Sequence, residues 1–259
     1  MNSTLYRLLT AVAMGVVCAL AAQAAQAAIT IVGTRVVYPA QERQVSVRLD
    51  NVDDHPVLVQ AWLDTGDASA APNEIKVPFV LLPSIFRVEP HRGQAMRIMF
   101  TGGEMPTDRE VVYWLNVLEI PPVPPDADQR SMIQLAFRTR IKMFYRPASL
   151  TETPTAQIKQ LKWSEVANDK GQWRIRLENP SPYYISIGRA VLTAGARTLV
   201  LQPEMAPPFG HVDLVPVAGK IEPDVPGTLT YSVLSDYGAA EEASTQFDGA
   251  PQAKANNSH

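Results

Sequence analysis

The stretch SMIQLAFRTRIKMFYRP, residues 131–147, decides how the chain folds. Large apolar side chains take alternate positions, Ile133, Leu135 and Phe137, then Ile141 and Met143. Gln134, Arg138, Arg140 and Lys142 stand between them. A period of two is that of a β-strand, whose side chains point to opposite faces in turn. The alternation runs for about 13–15 residues, where an ordinary strand has about 5–6. One face is apolar and the other cationic, over a length that exceeds the needs of one domain's core.

Working outward, shorter alternating segments recur: QVSVRLDN (44–51), AMRIMF (95–100), WRIRLEN (173–179) and TLTYSVLSD (228–236). Twenty-two prolines spread along the chain argue against long helices. Short strands punctuated by turn residues point to an all-β chain built of sandwiches. About seven strand candidates lie between residues 29 and 147. VVYWLNVLEI (111–120) is nearly apolar on both faces, as a central strand covered on both sides would be. RPASL (146–150) interrupts the pattern, and a second set of strands follows to about residue 238. The expected organisation is therefore one domain over 28–148 and a second over 149–240. From residue 241 the chain is small, polar and aperiodic, and 241–259 is expected to be a disordered tail.

The first 27 residues read as a cleaved secretory leader. MNSTLYR carries one positive charge, LLTAVAMGVVCALAA is an unbroken apolar run, and QAAQAA supplies small residues with A-x-A spacing. Cleavage is expected after Ala27 or close to it. The apolar run, about 15 residues, is shorter than the ~20 that span a bilayer, so no membrane anchor is expected. The one cysteine, Cys18, lies inside this leader behind Val16 and Val17, not behind the small residues of a lipidation site. The mature chain would have no thiol and no disulfide, leaving its cohesion to the core.

Net charge is −3, which gives no electrostatic reason to bind nucleic acid. His55, His91, His211 and His259 are far apart and lack metal-ligand spacing. The sequence holds no phosphate-binding glycine loop, no G-x-S-x-G and no H-E-x-x-H. The acid pairs Asp53–Asp54 and Glu241–Glu242 stand in loop-like sequence, where solvation explains them. No enzyme activity, metal or cofactor is expected.

MPTDREVVYWLNVLEIPP (105–122) resembles the signature of the PapD-like periplasmic pilus and fimbrial chaperones of the chaperone–usher pathway. GTRVVYPA (33–40), VPFVLLPSIFRVEP (77–90), IKMFYRP (141–147), NPSPYYISI (179–187) and SDYGA (235–239) agree with it in order. The resemblance implies two immunoglobulin-like β-sandwiches in a boomerang arrangement. It implies that the last strand of the first domain is lent to an incomplete pilin subunit, with Met132, Ile133, Leu135 and Phe137 as donor side chains. Arg35 and Lys142 match the cleft pair that holds the subunit's C-terminal carboxylate. Glu110, Arg146 and Asp236 match an interdomain salt-bridge network. Implied partners are pilin or fimbrial subunits and an outer-membrane usher, and the implied compartment is the periplasm. The connector Pro121–Arg130 is short and free of cysteine, which fits the short-loop subgroup serving pili and fimbriae. Val111 and Ser235 depart from common family residues, the second in a position that shapes a turn. The competing reading is an Ig-like structural or adhesive surface protein, which would keep its own free edge strand and need no paired cations.

Overall fold

The structure, a computed structural model, describes residues 28–122, 135–223 and 225–247. Two hydrophobic cores form, one from side chains between Ile29 and Tyr145 and the other from side chains between Ile175 and Val233. Each fills the space between two sheets, so the all-β, two-sandwich architecture holds.

In the first sandwich, β1 (Ile29–Ile31), β3 (Gln44–Asn51), β7 (Gly93–Phe100) and β5 (Phe79–Leu82) make one sheet, in that spatial order. The other sheet runs β2 (Arg35–Pro39), β9 (Phe137–Arg146), β8 (Val111–Ile120), β4 (Val57–Asp64) and β6 (Ile85–Val88). Alternation decides which side chains enter. Val57, Val59, Ala61 and Leu63 of β4 are buried, and Met96 and Ile98 of β7 meet Leu115 of β8 and Met143 of β9 in the core. Nine strands form in this sandwich among the described residues, not about seven. Strands of three or four residues, such as β1, β5 and β6, are too short to show a period in sequence.

In the second sandwich, β10 (Lys162–Ala167), β11 (Trp173–Asn179) and β15 (Gly210–Leu214) face a sheet of β13 (Arg197–Leu201), β12 (Ile185–Ala194), β16 (Gly227–Leu234) and β17 (Ala240–Phe247). The two-residue β14 (Met205–Ala206) pairs with β12. Strand β17 corrects the expected tail. Residues 241–247 pair antiparallel with β16 throughout, so Glu241 and Glu242 belong to a strand and not to a loop. Ala243, Thr245 and Phe247 are its half-buried positions. Two of these inward residues are small or polar, so their period of two did not stand out.

β8 does lie at the centre of its sheet, between β9 and β4, but its second face is covered in an unexpected way. Arg138 and Arg140 of β9 lie over the rings of Trp62 and Trp114, with guanidinium carbons 4.9 and 4.1 Å from the ring centroids. Beneath them Asp64, 1% exposed, accepts two bonds from Arg140 (2.5 and 3.1 Å), one from Asn116 Nδ2 (2.7 Å) and one from the Gly66 N–H (2.7 Å). The cationic face of the opening strand is thus a charged lid over aromatic rings.

Burial works against the Asp64 charge, but the bonds from Arg140, Asn116 and Gly66 outweigh it and hold the carboxyl below its ordinary range. A carboxyl depressed on folding adds stability above its unfolded pKa of about 3.9 and loses it as pH falls through the folded value. Asp64→Ala should therefore destabilise the first domain by about 3–5 kcal/mol, because it strands Arg140 over the sheet. Urea titrations at neutral and at strongly acid pH should show the difference between variant and wild type shrink in acid.

Candidate functional site

β9 is bonded on both sides for only part of its length. Along β8 it pairs from Glu119↔Phe137 to Val111↔Tyr145. On its other side β2 runs parallel and pairs only from Arg35↔Lys142 to Pro39↔Arg146. Among the described residues, then, Phe137–Ile141 has an unpaired backbone edge. The apolar face divides at the same place. Met143 and Tyr145 are buried in the first core and Ile141 packs against it. Phe137 is 36% exposed and Leu135, just before the strand, 56%. Met132 and Ile133 lie outside the described residues.

The register of the parallel pair sets Arg35 directly beside Lys142. Both are half-buried. Arg35 Nη1 donates to the Leu234 carbonyl of the second domain (3.3 Å), and its buried Nε has no partner. The guanidinium lies 5.9 Å from the Phe144 ring centroid and the Lys142 ammonium 5.4 Å from that of Trp114. Burial lowers the Arg35 pKa, partly offset by the fields of Asp236 and Glu110. Burial and then the neighbouring Arg35 lower that of Lys142, with Glu204 partly offsetting them. Two adjacent cations, partly stripped of water and bonded to no acid among the described residues, form a site that favours an anion.

At the end of β9 sits a three-residue ion cluster. Arg146 Nε donates to Glu110 Oε1 (2.7 Å), while Nη1 and Nη2 form a fork on Asp236 (2.7 Å each). Glu110 belongs to the first sandwich and Asp236 to the second, so the cluster bridges them. Burial opposes the Arg146 charge, yet the bonds and fields of Asp236 and Glu110 outweigh it and hold the guanidinium more firmly protonated than usual. Burial raises the Glu110 pKa, and Arg146 only partly counters it.

Sequence reasoning assigned no role to two further contributors, Asn179 and Gly238. The loop before β12 is shaped by Asn179, whose Nδ2 donates to the carbonyls of Tyr183 (2.7 Å) and Pro207 (2.8 Å) and whose Oδ1 accepts the Ser181 hydroxyl (2.6 Å). This loop presents the Tyr184 N–H to Glu110 Oε2 (2.8 Å) and the Pro182 carbonyl to the Glu110 N–H (2.9 Å). Gly238 has φ +82°, and a Cβ there would stand 2.4 Å from Thr34 Oγ1, so only glycine lets this turn approach the first domain. Ser235, one of the two departures, accepts the Ala239 N–H on its hydroxyl (3.1 Å) and so closes the same turn. Val111, the other, packs on the first core.

Two sandwiches joined by a buried ion cluster, with an unpaired edge and a cation pair between them, define a two-domain binding scaffold. The pili and flagellar-assembly chaperone family matches this chain twice, as the PapD N-terminal domain over residues 28–151 and the PapD C-terminal domain over 156–245. The chain belongs to that family of pilus-assembly chaperones. It is 40% identical over 223 residues to the probable fimbrial chaperone YadV of Escherichia coli K12, covering 85% of this chain and 89% of the relative. With the chaperone protein HifB of Haemophilus influenzae it shares 40% over 229 residues, 86% of this chain and 89% of the relative. The YadV crystal structure covers 85% of this chain and 100% of its own at a TM-score of 0.73 and 35% identity. The SafB chaperone, solved with the SafA pilin of Salmonella enterica, covers 86% and 97% at a TM-score of 0.69 and 26% identity.

Arg146→Ala should leave Glu110 and Asp236 facing each other without a cation, a loss of about 3–5 kcal/mol. Its expected outcome is two folded sandwiches with a widened distribution of shapes in small-angle scattering. An unchanged scattering profile would remove the cluster's part in setting the domain angle.

Proposed function

We propose that the mature chain is a periplasmic chaperone that catches pilin or fimbrial subunits, completes their fold with its own β9, and hands them to an outer-membrane usher. The observation that carries this reading is the half-paired β9, whose open edge and exposed Leu135 and Phe137 adjoin the Arg35–Lys142 pair. A subunit strand would bond to the free edge from Phe137 to Ile141. Its C-terminal carboxylate would sit on Arg35 and Lys142, and that anchor would fix the register of the pairing. Burial of Ile133, Leu135 and Phe137 against the subunit would contribute about 5–9 kcal/mol before ordering costs. Met132 would extend the same donor segment. The complex of SafB with a pilin supports the choice of partner.

The chaperone works by binding alone, without ATP, metal or cofactor. Export through a leader cleaved near Ala27 would bring it to the periplasm. Among the described residues no helix is long and apolar enough to cross a membrane. The salt-bridge cluster Glu110–Arg146–Asp236 would hold the two sandwiches at the angle the subunit requires.

Arg35→Ala and Lys142→Ala should stay folded yet fail to retain a cognate subunit in co-purification, and wild-type yield from either would discard the carboxylate anchor. Leu135→Glu should abolish retention with little change in melting temperature, because a charge is tolerated on an open edge and excluded from an apolar groove. A large fall in melting temperature would instead mean that Leu135 faces the protein's own core. The anchor also predicts a pH dependence. Lys142 must be protonated to hold a carboxylate, so affinity is full below its folded pKa and declines as pH rises through it. Because that value is lowered, the decline should begin below the ordinary lysine value of about 10.4. Binding measured across alkaline pH should lose this decline in Lys142→Arg.

A further inference from the structure

Glu119 ends the inward row Tyr113, Leu115, Val117 of β8 and is 5% exposed. Its Oε2 accepts the N–H of Ile29 at 2.8 Å, across the sandwich on β1. Backbone bonds from Ile29 and then Ala28 both stabilise the carboxylate. Ala28 itself packs against the first core, and its carbonyl accepts the Val52 N–H at 2.8 Å. Yet Glu119 has no cation among the described residues, and the one charged group it feels is Asp53, another acid. A carboxylate held this deep by amide N–H groups alone keeps most of its desolvation cost. Burial accordingly moves its pKa up, against those two bonds.

Of the two residues whose N–H groups stabilise this carboxylate, Ile29 and Ala28, the second is the one at which the mature chain is expected to begin. We propose that Glu119 is the docking site for the mature N-terminus, pairing with an α-ammonium that exists only after the leader is removed at Ala28. Hydrolysis of the peptide bond between residues 27 and 28 consumes one water. The carboxylate leaves with the leader, and the nitrogen that was an amide becomes an ammonium on Ala28. One neutral donor beside Glu119 is thereby exchanged for a cation with three N–H groups, without movement of the β1 backbone. Leader removal would then complete the first domain's charge balance. Because Glu119 is paired with Phe137, it would do so beside the first residue of the open strand edge.

The proposal rests on the leader reading given above, and the experiment separates the two. N-terminal sequencing of chain exported from the full-length precursor should give Ala28, and any other start overturns the proposal together with the cleavage site. Independently, the chain 28–259 is prepared with a free or an acetylated N-terminus, each as wild type and as Glu119→Gln. Acetylation restores the single amide N–H that Ala28 has in the precursor and removes the charge with the two further N–H groups. It should lower the wild-type melting temperature by about 3 °C or more, and the two forms of Glu119→Gln should melt alike. No effect of acetylation in the wild type, or an equal effect in Glu119→Gln, overturns the ion pair while leaving the leader reading untouched. If Glu119→Gln does not fold, a single glycine placed before Ala28 supplies the second test. It moves the ammonium one residue away and should lower the melting temperature as acetylation does, and an unchanged melt overturns the pairing.

Discussion

The parallel ladder between β2 and β9 starts at Arg35 and Lys142, and most of what distinguishes this chain follows from that starting point. Had β2 begun a few residues earlier, it would have covered β9 along its whole length and the strand would be an ordinary interior one. Because it does not, the part of β9 before Lys142 has one free side, while the part after it is locked into the first core. The same pairing brings two cations from distant points in the sequence into neighbouring positions, where their repulsion is tolerated only with anionic surroundings to offset it. Unpaired backbone and uncompensated charge are both costly, and here they adjoin.

β9 also shows how one cationic face can divide between holding the sheet and lining a candidate site. Arg138 and Arg140 close over tryptophans and the buried Asp64, so they belong to the stability of the sheet. Lys142, the next residue on that face, has an aromatic ring beside it but no acid bonded to it. Arg146, two places further on after Phe144, reaches across to the second domain. Position along one strand assigns these charges to three tasks, and residue type alone does not tell them apart.

The fold was legible wherever large apolar residues alternate or run together: β8, β9, the two-sandwich layout and the break after Arg146 all follow from pattern. β17 was not, because Ala243 and Thr245 occupy its inward positions and give no hydrophobic signal. Asp64 carries no signal in the sequence, and only the folded sheet places Arg140 over it. For Arg35, Lys142 and the Glu110–Arg146–Asp236 cluster, nothing local in the sequence separates them from solvated charges. They were reached through resemblance to a family, since pairings between distant segments leave no periodic trace. The N–H groups converging on Glu119 had no sequence signal at all.

A long strand of alternating residues with one side open for half its length is exposed to slippage. A shift of two residues keeps every side chain on its face and leaves most of the ladder intact. In β9 such a shift would move Thr139, Ile141 and Met143 along the core with little loss of apolar contact. It would also carry Arg146 about 6–7 Å along the strand, away from both of its acids. The ion cluster at the domain junction therefore acts as a detent on β9. It selects one register among those that hydrophobicity would permit, and holds it at the end furthest from the open edge.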